Sequence, residues 1–141
     1  MSDAPGSTTR APIVVALGIT NGQAIQELGW DDDADEDLRS AVLEELGEDF
    51  VYDAVEAVDV VLLWWREEDG DLGDGLVDAL TDLTQRGHIW LLTPRVGQDG
   101  YVDAADLAEA ALTAGLALAN TASVSREWQA QKLVRPKGGR R

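Results

Sequence analysis

Arg66 and Arg95 each close a run of apolar residues, "VDVVLLWWR" and "HIWLLTPR". If the two runs are neighbouring parallel strands, both guanidiniums stand beyond the carboxyl ends of the strands. Open parallel sheets bind their ligands in that place. Two arginines there can clamp a carboxylate or phosphate through charge-assisted hydrogen bonds. Trp65 lies at the same end. Trp65, Arg66 and Arg95 are therefore candidate ligand-binding residues, for a small anionic ligand.

The stretch "DDDADED" raises a different possibility. Asp33, Asp35, Asp37 and Glu44 fall at four ligand positions of a calcium loop. The position that must be glycine for the sharp turn is Leu38, so no metal site is expected. Asp31, Asp32, Asp33, Asp35 and Asp37 read instead as an acidic surface for a protein partner. His88 is the only histidine, no serine stands near it at nucleophile spacing, and there is no cysteine. Triads, thiolate chemistry and cysteine-bound metals are thereby excluded. The glycines of "DGDLGDG" lack the Gly-Lys-Ser/Thr ending of a phosphate loop and sit among aspartates that repel phosphate.

The whole chain carries a net charge of −16 over 141 residues. A nucleic-acid backbone would repel such a surface. Residues 27–59 hold 14 of the 27 acidic residues and one base, Arg39, whereas the chain from Arg126 onward is basic. No apolar run is long enough to span a membrane, no secretory signal is visible, and the absence of cysteine agrees with a cytoplasmic location.

The elements that would position these residues follow from periodicity. Leu38, Val42 and Leu46 mark an amphipathic helix over roughly 35–46, stopped by Gly47. "VDVVLLWW" and "HIWLLTP" are apolar at both parities, as in strands covered on both faces, so at least one of Trp64 and Trp65 belongs to the core. A second helix is expected to present Leu76, Val77, Leu80 and Leu83 on one face and to close at Gly87. An alanine-rich third helix spans 103–115. The pieces 116–124 and 128–135 suit an antiparallel hairpin, and "EDFVYDAVEA" is ambiguous between strand and helix. The expected fold is a single three-layer α/β domain over 13–135, with a mainly parallel sheet, helices on both faces and a C-terminal antiparallel hairpin. Residues 1–12 read as a disordered arm and 136–141 as a disordered basic tail.

"GQAIQELGWDDDADEDLRSAV", "VDVVLLWWREEDGDLGDGLVDAL", "GHIWLLTPR" and "VSREWQAQKLVR" together resemble the actinobacterial proteins of domain of unknown function 3052, over about residues 14–135. The resemblance implies a reduced, Rossmann-like version of the S-adenosylmethionine-dependent methyltransferase fold. In that fold an acidic residue and Gly-x-Gly-x-Gly follow the first strand. Glu27 and Gly29 match, and the resemblance adds them to the candidate ligand-binding residues, for a nucleotide-like ligand; Trp30 and Asp31 stand where a methionine chain and its carboxylate would lie. No cofactor is therefore expected. The leading expectation is a non-catalytic protein-binding or regulatory module; the alternative is a degenerate methyltransferase-like domain that still takes a ligand at the strand ends.

Overall fold

The computed structural model describes residues 12–51 and 57–136. Within them the chain forms α1 (Pro12–Leu17), β1 (Ile25–Leu28), α2 (Glu36–Leu46), β2 (Val58–Trp64), α3 (Leu72–Ala79), β3 (Leu83–Pro94), α4 (Ala104–Thr113), β4 (Ala117–Ser123) and β5 (Trp128–Val134). The five strands lie in the order β1-β2-β3-β5-β4. β1, β2 and β3 are parallel, while β5 runs antiparallel to both β3 and β4.

Strand alternation divides the core into two layers. Val60, Leu62 and Trp64 of β2, with Trp90 and Leu92 of β3, pack against Leu38, Val42 and Leu46 of α2. The intervening residues Val61, Leu63, Ile89 and Leu91 pack against Leu72 and Leu76 of α3 and Leu107 of α4. The doubly apolar strands thus have helices on each side, and Trp64 is wholly buried. The Trp90 indole donates to the carbonyl of Leu17 at 2.9 Å, which anchors α1 on the α2 face.

Two right-handed crossovers stepping in one direction along a sheet would put their helices on the same face. Here α2 and α3 lie on opposite faces. After α2 the chain first touches the outer edge of β1, where Val51 bridges Gln26 in parallel sense and its N–H donates to Ile25 at 2.8 Å. The first step therefore runs outward and the step from β2 to β3 inward, which accounts for the two faces. Residues 52–56, half of the ambiguous "EDFVYDAVEA" segment, lie outside the described residues, as do the arm up to residue 11 and the tail from residue 137. Pro12, expected in the arm, begins α1.

The second helix departs from expectation. It spans Leu72–Ala79, buries Leu72, Leu76 and Ala79, and leaves Val77 half exposed. Leu83 and Gly87 belong to β3, not to a helix. Asp71 caps the start through the N–H of Asp74. Beyond Leu80, Thr81, Asp82 and Thr84 replace the strong helix formers, and the chain turns into the strand early.

His88 sits on β3 beside β2, edge-on to Trp90. Its Nε2 finds no hydrogen-bond partner among the described residues. Burial, reinforced by the Lys132 charge and opposed by Asp59, pushes its pKa down to about 4 from 6.5. The fold therefore holds the neutral ring. Its contribution is complete above pH 6.5 and is lost as pH falls toward 4. Solvent at its partly exposed edge screens the effect, so the expected loss over that window is about 1–2 kcal/mol. Urea unfolding at pH 6.5 and 4.5 should show this slope in the native protein, and His88→Val should flatten it.

Candidate functional site

The carboxyl ends of β1 and β2 are joined by two arginine-centred clusters. Glu27 is the penultimate residue of the β1 run "IQEL", and its side chain turns inward, where it is 1% exposed. Arg39 reaches it from α2 with both arms of its guanidinium: Nε donates to Oε2 at 2.6 Å and an Nη donates to Oε1 at 2.7 Å. The Trp64 indole donates to the same carboxylate at 2.9 Å. The other Nη of Arg39 donates to Glu36, one turn back on α2, at 2.8 Å. Glu36 also accepts from the Trp30 indole at 2.9 Å. Arg39 lies over the rings of Trp30 and Phe50, 5.5 and 5.7 Å from their centroids. Glu27, seconded by Glu36, raises the Arg39 pKa above its ordinary value.

Arg66 forms the second cluster. It donates to the Gly29 carbonyl at 2.7 Å, to both carboxylate oxygens of Asp33, and to Asp69 at 3.3 Å. Burial opposes its charge; Asp33 and Asp69 outweigh it, and its pKa lies above the usual value. The same hydrogen bond holds the Asp33 carboxyl below the ordinary carboxylate range. The guanidinium lies 5.2 Å from the ring centroid of Trp128, which meets Trp64 edge-on at 4.9 Å and donates to the Asp33 carbonyl at 3.1 Å. The loop after β1, the loop after β2 and the start of β5 are thereby tied together.

Gly29 is the pivot. Its φ of +75° is a conformation L side chains rarely adopt, and a Cβ there would stand 2.2 Å from the Trp64 carbonyl oxygen. It brings β1 against β2 rather than opening a loop for a ligand. Glu27, Gly29 and Arg66 thus converge around Trp64, all committed to protein partners. Trp65 faces the other side of the sheet, its ring laid on α3 where Gly75 has no side chain. Arg95 is exposed and donates to the Ser125 carbonyl at 3.1 Å. The two strand-end guanidiniums therefore serve different partners. Arg39, Asp69 and Trp128 were not singled out in the sequence. The one signal for Arg39 was its position as the sole base in a long acidic stretch.

The five acidic candidates also divide. Asp35 caps α2 by accepting from the Leu38 N–H at 3.0 Å, and Asp33 holds Arg66. Asp31, Asp32 and Asp37 are exposed. Beside them runs a groove of about 880 Å³ between α1, the start of α2 and the β4–β5 turn. Ile13, Ala16, Leu38, Ala41 and Val124 give it apolar walls; Asp33, Asp35, Asp37 and Glu127 bring four carboxylates to it, of which Asp33 already pairs with Arg66, and Arg126 brings a guanidinium. Among the described residues no group of three or more His, Asp or Glu side chains is placed to hold a metal ion, and no helix is long and apolar enough to cross a membrane.

Comparison with known proteins places this geometry. A family model described as protein of unknown function DUF3052 matches residues 14–137. Uncharacterized proteins of Mycobacterium tuberculosis and Mycobacterium bovis are 49% identical over 122 residues, covering 86% of this chain and 77% of theirs. Among solved structures, the magnesium protoporphyrin IX methyltransferase of Synechocystis PCC 6803 with bound SAM is similar at a TM-score of 0.55 and 13% identity, over 86% of this chain and 74% of that one. A SAM-dependent methyltransferase from Aquifex aeolicus is similar at 0.54 and 10% identity, over 86% of each. The mitomycin 7-O-methyltransferase is similar at 0.54 and 14% identity, over 82% of this chain, which spans 50% of that enzyme's length. These likenesses establish a methyltransferase-like fold. The residues after β1 do not fit the cofactor of such enzymes: Gly29 is packed on the β2 backbone and Glu27 is consumed by Arg39 and Trp64.

Proposed function

The chain belongs to DUF3052, a family of proteins of unknown function, and from that premise we propose that it is a non-catalytic binding module for a basic, amphipathic segment of another protein. The observation that carries this reading is the occupation of the strand ends. Where ligands enter an open parallel sheet, this protein has its own ion pairs and indoles. Beside them lies the acidic groove.

The groove suits its occupant on two counts. Its walls offer Ile13, Ala41 and Val124 to apolar side chains, and Asp37 and Glu127 offer charge to lysine or arginine. A helix carrying apolar residues on one face and bases on its flanks has that pattern. The −16 charge of the whole chain draws basic partners and raises their association rate at low salt.

Titration with a synthetic amphipathic basic helix, followed by calorimetry, tests the reading. Binding is expected in the micromolar range and should weaken as salt rises. Asp37→Lys/Glu127→Lys changes two groove residues outside the arginine clusters. It should weaken binding at least tenfold while the melting temperature moves little. No binding at millimolar peptide, or equal binding by the variant, would overturn the proposal. S-adenosylmethionine supplies the contrast. A ligand at 100 times its dissociation constant adds about 2.7 kcal/mol to stability. The expected result is an unmoved melting temperature, whereas a shift of several degrees would point to a ligand site at the strand ends.

A further inference from the structure

The loop between α1 and β1 touches the far end of α2. Thr20–Gln23 is a turn, closed by the Gln23 N–H donating to the Thr20 carbonyl at 3.3 Å, with Asn21 and Gly22 at its exposed centre. Gly22 holds φ at +89°, a conformation that suits glycine. The Asn21 carboxamide donates to the Leu46 carbonyl at 3.0 Å and to the Glu45 carbonyl at 3.4 Å. Both carbonyls belong to the last turn of α2, where the helix itself supplies no donor. The packing is close: a Cβ on Gly47 would stand 3.0 Å from the same amide nitrogen.

The surroundings of this contact are negative. The last turn of α2 carries no base, and Glu44, Glu45, Glu48 and Asp49 flank Gly47. The carboxyl end of a helix is also the negative end of its dipole. A neutral donor such as Asn21 suits this place; a carboxylate there would be repelled.

The peptide unit after Asn21 is chemically weak. The chain has two asparagines, Asn21 and Asn120. Asn120 precedes the β-branched Thr121 inside β4, whereas Asn21 precedes glycine, whose nitrogen no side chain shields. Nothing lies within 4 Å of the place a Cβ would take at Gly22.

We propose that Asn21 is a modification site, at which deamidation turns the cap of α2 into a group that repels it. The Gly22 backbone nitrogen loses its proton and bonds to Asn21 Cγ, and ammonia leaves. Water then adds to either carbonyl of the resulting succinimide and opens it to aspartate or isoaspartate. The net exchange is water for ammonia, so no other reactant is needed. The new carboxylate has no N–H to donate and faces two carbonyl oxygens. α2 is thereby loosened, and with it Arg39, which α2 delivers to Glu27. The cap also gates the step. The carboxamide must leave both carbonyls before it turns onto the Gly22 nitrogen, so the folded chain reacts through local opening.

Incubation of the full chain in mildly alkaline buffer, folded and in urea, with peptide mass spectrometry of the products, tests the chemistry. Aspartate and isoaspartate are expected at position 21 in both, with Asn120 lagging behind. Conversion in the folded chain should be slower by about tenfold or more. Asn21→Asp and Asn21→Ala test the consequence. Both remove the donor, but only the first adds charge. Asn21→Asp should therefore melt several degrees below Asn21→Ala at low salt, and the gap should narrow as salt rises. Equal rates in the folded and unfolded chains would overturn the gating. No conversion at position 21 in the folded chain would overturn the site itself. An Asn21→Asp protein as stable as Asn21→Ala would overturn the repulsion.

Discussion

Replacing Gly29 by alanine is expected to cost about 3–5 kcal/mol of folding free energy, much more than an ordinary glycine substitution. Two penalties add. The backbone there holds φ at +75°, and the new methyl group would stand 2.2 Å from the Trp64 carbonyl oxygen. Relief requires β1 to move away from β2, which breaks the register of Glu27 with Leu62 and Leu28 with Leu63. A two-state urea unfolding curve should shift its midpoint downward by roughly 2 M. Gly97→Ala is the control. Its φ of +91° carries the conformational strain, but nothing lies within 4 Å of the added carbon. A loss of about 1 kcal/mol is expected there. Equal losses at the two positions would show that the close approach of the strands contributes nothing.

Arg39→Met should be comparably damaging, for an electrostatic reason. The Glu27 side chain is 1% exposed and accepts two hydrogen bonds from Arg39. Removing the base leaves a buried carboxylate with the Trp64 indole as its remaining partner. Stranding one member of a buried pair typically costs about 3–5 kcal/mol. Replacing both members removes the stranded charge, so Glu27→Gln/Arg39→Met is expected to lose only about 1–2 kcal/mol. This non-additivity is the diagnostic result. Were the double variant less stable than Arg39→Met alone, the pair would be acting through packing instead. A melting series on the four proteins of the cycle decides it.

Strand and helix assignments were legible where a periodicity had no competitor. Val58–Trp64 is apolar at both parities and is covered on both faces; Leu38, Val42 and Leu46 recur at helical spacing and face the core. The second helix is shorter than its spacing predicts because Leu80 and Leu83 continue a helical spacing after the chain has already turned, a coincidence of period that local chemistry at Thr81 and Asp82 overrides. The site was half legible. Glu27, Gly29 and Arg66 do meet, because they end adjacent parallel strands. Their role was not readable, since it depends on Arg39 arriving from α2 and Trp128 from β5. Such long-range pairings leave no local spacing. The same holds for Asp33 and Asp35, which lie in one acidic run yet serve as an ion-pair partner and a helix cap.

The edge-on contact of Trp64 and Trp128 has an optical consequence. Two indoles at 4.9 Å, fixed at 87° to each other by the core, have transitions that couple. The difference in near-ultraviolet circular dichroism between the wild type and Trp128→Phe separates this pair from the other three indoles and is sensitive to the relative placement of β2 and β5. Glu127, the neighbour of Trp128, lines the acidic groove. An occupant that shifts the β4–β5 turn would therefore write itself into the indole spectrum, and the protein carries its own gauge of whether the strand ends stay closed.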